Sequence, residues 1–221
     1  MGRRWYSVAC LFVVTCYSPI SAEELETKSR LQLLPRQELA TILPSDTHLL
    51  LDPSSIEQFL DELDGNPPDW RTLYGHGHHD PGHDERLFSL NRERDAKRAG
   101  KLALAWLITF AWSGALSTYN AEVAGFPVAI GPTFTPTRWG IVRFKPEEAP
   151  GNLVVVADGP QLTALQQEIS EKGTLDIHVL MTGRLIPEES LVYDFSHEEE
   201  GQGLIMPFIR VEQVQFVRLS S

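Results

Sequence analysis

The longest apolar run beyond the N-terminal leader, LALAWLITFAWSGAL from Leu102 to Leu116, constrains the fold more than any other stretch. Its bulky residues Leu102, Leu104, Trp106, Ile108, Phe110, Trp112 and Leu116 fall on alternate positions, with mostly small residues between them. A period of two belongs to a strand, whose successive side chains point to opposite faces, and not to a helix with its period of 3.6. Only Leu107 breaks the alternation. The pattern predicts a long, bent central strand with one bulky face and one small face. At 15 residues the run is also shorter than the roughly 20 that a helix needs to cross a bilayer. No transmembrane segment is expected in the mature chain.

Residues 1–22 carry Arg3 and Arg4, an apolar stretch from about Val8 to Cys16 and a small-residue end at Ile20-Ser21-Ala22. This is the layout of a secretory signal peptide, with cleavage expected after Ala22. Both cysteines, Cys10 and Cys16, lie inside it, so the mature chain has no thiol. An exported chain without disulfides points to the bacterial periplasm, and it excludes thiol catalysis and cysteine-ligated metals. Without Arg3 and Arg4, 17 of the 19 basic residues remain against 30 acidic ones, a formal charge of −13. Bulk charge of that sign disfavours nucleic acid as a partner.

The mature chain divides, on its patterns, into an N-terminal region over 23–100 and a β-rich domain over 101–221. Pro35 and Pro44 break the lead-in, which allows short helical turns or an edge strand at His48 to Leu51. Asp52-Pro53 then starts a helix whose Ile56, Phe59, Leu60 and Leu63 share one face, before Gly65 ends it. A second helix is predicted over Glu85 to Lys101, where Arg92 with Asp95 and Glu93 with Lys97 are spaced to face each other.

After Leu116, strands are predicted at Phe126 to Ile130, Trp139 to Lys145, Leu153 to Ala157, Leu175 to Ile186, Leu191 to Phe195 and Leu204 to Leu219. A helix over Pro160 to Lys172 interrupts them, closed by Gly173. In the last strand the apolar phase slips near Glu212-Gln213, the mark of a bulge.

The predicted class is therefore mainly β with flanking helices, an α+β chain. Its order of long bent strand, strand pair, helix, strand and long strand resembles the oligonucleotide/oligosaccharide-binding (OB) fold, a small Greek-key barrel with its helix between the third and fourth strands. The resemblance covers roughly residues 101 to 219. Gly114 and Gly183 are placed to supply the tight bends that such a small closed barrel needs.

Three groups of residues are candidates for function. His76, His78, His79 and His83 concentrate four of the seven histidines in one loop with Asp80, Asp84 and Glu85. Imidazole and carboxylate on a Gly-rich loop suit a borderline divalent ion: Zn, Ni or Cu(II). Arg138, Arg143 and Arg184, with Lys145, form a candidate basic ligand face, opposite the acidic stretch Glu188-Glu189 and Asp194 to Glu200. Asp176 and His178 sit two apart on one strand, a spacing expected to yield a hydrogen-bonded pair.

No Gly-x-Ser-x-Gly, His-Glu-x-x-His or phosphate-cradling glycine loop occurs. The leading expectation is an exported, non-catalytic OB-like binding module for a protein or small ligand. A metal-binding protein using the histidine loop is the alternative, and a hydrolase with a site invisible in sequence is the third.

Overall fold

The computed structural model describes residues 27–76, 80–196 and 201–220. The predicted leader and its cleavage point lie outside them, as do His78, His79 and residues 197–200 of the acidic stretch. The protein is mainly β sheet with a few helices, as the sequence predicts. In chain order the strands are β1 (Lys28–Pro35), β2 (His48–Leu49), β3 (Leu107–Leu116), β4 (Phe126–Gly131), β5 (Thr135–Thr137), β6 (Gly140–Val142), β7 (Lys145–Pro146), β8 (Val154–Val156), β9 (Leu175–Leu185), β10 (Leu191–Phe195) and β11 (Gly203–Ser220). The helices are α1 (Pro53–Asp64), α2 (Trp70–Tyr74), α3 (His83–Arg98) and α4 (Gly159–Lys172). Among the described residues no helix is long and apolar enough to cross a membrane.

The expected strand from Leu102 is shorter than its pattern. Leu102–Ala105 forms a 3-10 turn with Leu102 85% exposed, and β3 begins at Leu107. Gly100, at φ +80, turns the chain sharply after α3, so the first alternating residues are used to enter the sheet instead of pairing in it. From Ile108 onward the alternation holds: Ile108, Phe110, Trp112 and Leu116 are buried inside, while Ala111, Ser113 and Ala115 face outward. Trp139 to Lys145 likewise resolves into β6 and β7, both parallel to the first half of β11.

Antiparallel pairings join β4 to β3, β3 to β9 and β9 to β11. From β11 the path runs through parallel β1 to parallel β8, and β8 returns to β4. The N-terminal region therefore supplies a strand to the sheet: Lys28–Pro35 lies between β8 and β11. Register shifts between Val211 and Gln213, where the sequence places its bulge, and Gly183 lets the Arg210 carbonyl approach closer than any side chain would allow.

Helix α1 starts as its sequence dictates. The Asp52 side chain accepts from the Ser55 amide at 3.1 Å, and Ser55 closes a reciprocal capping box. Its Ile56, Phe59, Leu60 and Leu63 are all buried in the main core, each worth about 1.5–3 kcal/mol in removed apolar surface. A smaller second core lies on the outer side of the sheet, where Leu34, Leu39 and Leu43 cover Leu180 and Val217.

Candidate functional site

The histidine loop is built around Asp80. Its carboxylate accepts from Arg86 Nη2 at 2.8 Å and from the Gly82 amide at 2.9 Å. Those hydrogen bonds, Arg86 first, pull its pKa down to about 2. The His76 amide reaches the same carboxylate at 3.5 Å, while the His76 side chain is exposed. His83 is committed to packing: its ring stacks on Phe195 at 5.2 Å, Nδ1 lies 3.2 Å from the Asp80 carbonyl, and Nε2 lies 3.3 Å from Asp84. Among the described residues, no group of three or more His, Cys, Asp or Glu side chains gathers as a metal would need.

The three arginines of the expected ligand face do not share partners. Arg138 is held to α1, with Nε 3.4 Å from Glu57 and Nη2 on Asp61. Arg184 bonds the Ala105 carbonyl at 2.6 Å and lies 3.3 Å from Glu212. Arg143 differs. Its guanidinium sits 5.6 Å from the centre of the Phe134 ring, and its Nε is buried without an acceptor.

Two residues further on the same side, Lys145 places Nζ 4.4 Å above the Phe208 ring. Alternation produces this surface. Phe144 and Pro146 point inward while Arg143 and Lys145 are half-exposed. On the paired strand β11, Ile205, Pro207 and Ile209 are buried while Leu204, Met206 and Phe208 are half-exposed. Beside Lys145 an open cleft of about 430 Å³ is lined by Glu147, Ile186, Glu189, Phe208 and Arg210. Within it Arg210 forks onto Glu147 at 2.8 and 3.1 Å, which lowers the Glu147 pKa. The aromatic floor escaped the sequence reading because Phe134 and Phe208 lie 74 positions apart; β11 alternation, once its partner strand is known, is the signal that finds Phe208.

A third cluster, also absent from the sequence reading, is buried at its centre with Asp95 at its solvent edge. Arg98, with its side chain 1% exposed, donates from Nε and Nη2 to the two oxygens of Asp64 at 2.7 and 2.8 Å. The Tyr193 hydroxyl donates to the same carboxylate, and Arg98 Nη1 reaches Asp95 at 2.6 Å and the Leu191 carbonyl at 3.0 Å. Burial foremost, with the Asp64 charge, pushes the Tyr193 phenol far above its ordinary range. Each Arg98 nitrogen and the Tyr193 hydroxyl has an acceptor, so this cluster fastens α1, α3 and β10 together. It also explains why Arg92 does not pair with Asp95: Asp95 is taken by Arg98, and Arg92 lies over Phe88 instead.

Asp176 and His178 do share the outer face of β9, but no hydrogen bond joins them. Partial burial first, and the Arg36 charge second, hold the His178 pKa below its ordinary value.

No family model, curated protein or solved structure matches the chain.

Proposed function

We propose that this chain is an exported, periplasmic, non-catalytic binding module with an OB-like barrel, and that it engages an anionic partner through the outer face of β6, β7 and the first half of β11. The OB-like reading is supported by β3, β4, β8, β9 and β11 with α4 between the third and fourth of them, and by pairings that return to their start. In this reading β1 is a sixth stave, inserted parallel between β8 and β11. The layout of residues 1–22 and the absence of cysteine beyond Cys16 support export to the periplasm.

One observation carries the binding face. In an acidic chain, Arg143 and Lys145 stand side by side over Phe134 and Phe208, without carboxylate partners among the described residues and next to an open cleft. Cations on aromatic rings offer a planar apolar floor and unspent hydrogen-bond donors to an incoming carboxylate. The test is an NMR titration with an octaglutamate peptide at low salt. Shifts should centre on Phe134, Arg143, Lys145 and Phe208, weaken with added salt, and fade in an Arg143→Ala/Lys145→Ala variant. Shifts centred elsewhere, or unaltered in the variant, refute this face.

A second reading rests on Asp80, which draws the His76 backbone and the His83 ring to one short loop. A Zn, Ni or Cu(II) ion would there be held by His76, His78, His79 and His83. Calorimetric titration of the protein and of a variant with all four changed to Ala decides it. Identical isotherms end the metal reading.

A further inference from the structure

The outer face of β3, β9 and β11 is covered by the segment running from Arg36 to Leu51, and the cover is incomplete. Between them lies a cavity of about 80 Å³, lined by Leu39 and Leu51 from the covering segment, Ala111 from β3, Leu180 from β9, and Val217 and Leu219 from β11. The space exists because β3 presents its small face here: Ala111, opposite Leu180 in the register, offers only a methyl group to the covering segment. These six side chains carry no donor or acceptor. A water among these six would lack the two to four polar partners it needs, so this part of the cavity favours hydrocarbon.

The other two lining residues are polar. Arg36, with its side chain 58% exposed, donates to the Leu51 carbonyl at 3.2 Å and lies 3.9 Å from Asp52. His178 stands in register between Ser113 and Val217, makes no hydrogen bond among the described residues, and feels the Arg36 charge. Asp176 is the acidic residue on the same face of β9, two positions along. An apolar interior with a guanidinium and an uncommitted imidazole among its walls is the arrangement that holds the tail and head of an amphiphile.

We propose that this cavity binds a short-chain aliphatic carboxylate, its hydrocarbon tail among Leu39, Ala111, Leu180 and Val217 and its carboxylate between Arg36 and His178. At about one water-sized sphere per 10–15 Å³, the space takes roughly six carbons. Affinity then rises about fourfold per methylene from butanoate towards hexanoate and levels off beyond, since each buried methylene gains a transfer increment until the cavity is full. This site is independent of the Arg143/Lys145 face, so either can fail without the other.

The experiment is a two-dimensional NMR titration of the full chain with butanoate, hexanoate, octanoate and 1-hexanol, reading the amides of Ala111, Leu180 and Val217 and the His178 ring protons. Hexanoate should give saturable millimolar shifts at these positions. Arg36→Gln should weaken hexanoate about tenfold while leaving 1-hexanol unchanged. Ala111→Leu, which fills the space, should abolish both without lowering the melting temperature. If Ala111→Leu unfolds the chain, Leu39→Phe fills the cavity from the opposite wall and serves in its place. No saturable shift at the lining residues, undiminished binding by a cavity-filled variant, or equal affinity for hexanoate and 1-hexanol overturns the proposal.

Discussion

Changing Asp64 to Ala tests whether the enclosed Asp64–Arg98–Tyr193 cluster holds the helices to the sheet. The side chains of Asp64 and Arg98 are 0% and 1% exposed, so solvent cannot replace what is lost. The variant strips Arg98 of two charge-assisted hydrogen bonds and Tyr193 of its acceptor, leaving a guanidinium with Asp95, itself 56% exposed, and the Leu191 carbonyl. Breaking a buried pair from one side costs about 3–5 kcal/mol, because the remaining charge stays buried, here with only the half-exposed Asp95 to offset it. For a chain of this size that corresponds to a fall of roughly 6–20 °C in melting temperature. Urea denaturation followed by tryptophan fluorescence reads the free energy, and calorimetry the midpoint. The double variant Asp64→Leu/Arg98→Met removes both charges and should recover most of the loss, since the desolvation cost disappears with the pair. An Asp64→Ala protein within about 1 kcal/mol of the parent would falsify the argument, as would a double variant less stable than either single one.

Gly203 faces the Trp70 indole so closely that a Cβ there would lie inside the ring, while Trp70 Nε1 bonds the Trp139 carbonyl at 2.5 Å. Gly203→Ala should cost about 1–3 kcal/mol or more by denaturant melting, and Trp70→Ala in the same chain should make the glycine change nearly neutral. At Gly183 the obstacle is the Arg210 backbone, so Gly183→Ala should destabilise with no side-chain change able to relieve it. Glu168 accepts from Arg218 at 2.6 and 2.8 Å and from Lys172 at 2.6 Å, and these bonds, Arg218 first, lower its pKa to about 2. A depressed carboxyl contributes stability above its unfolded pKa of 4.5 and loses it as pH falls towards 2; Glu168→Gln should flatten the melting-temperature profile across that window. His178 has the opposite charge type with a lowered pKa, so its unfolded form binds the proton first. Stability should therefore decline as pH drops below the ordinary histidine value of about 6.5, and less so in His178→Gln.

Features set by near neighbours in the chain were legible in the sequence. Asp52-Pro53 and Ser55 specify the start of α1 whatever surrounds it, and the phase slip at Glu212-Gln213 marks the bulge in β11 because side-chain alternation is a property of one strand. The alternation from Ile108 to Leu116 likewise announced a strand with a bulky inner face. It also ran on through Leu102, because a repeat of large and small residues carries no information about where pairing stops; Gly100 and the turn at Leu102–Ala105 decide that.

Tertiary structure alone decided the rest. Lys28–Pro35 has no pronounced alternation, and it is a strand because its backbone pairs with β8 at one end and with β11 at the other. Asp64 and Tyr193 are 129 residues apart, so nothing local distinguishes them from surface residues. Arg138, Arg143 and Arg184 looked alike as a basic set, and only packing separates them: α1 and Glu212 claim the first and last, and Arg143 is left over a ring. The small face of β3 was visible from the start. That it would underlie a cavity depended on how far the side chains of a distant segment reach across it, a distance that sequence does not encode.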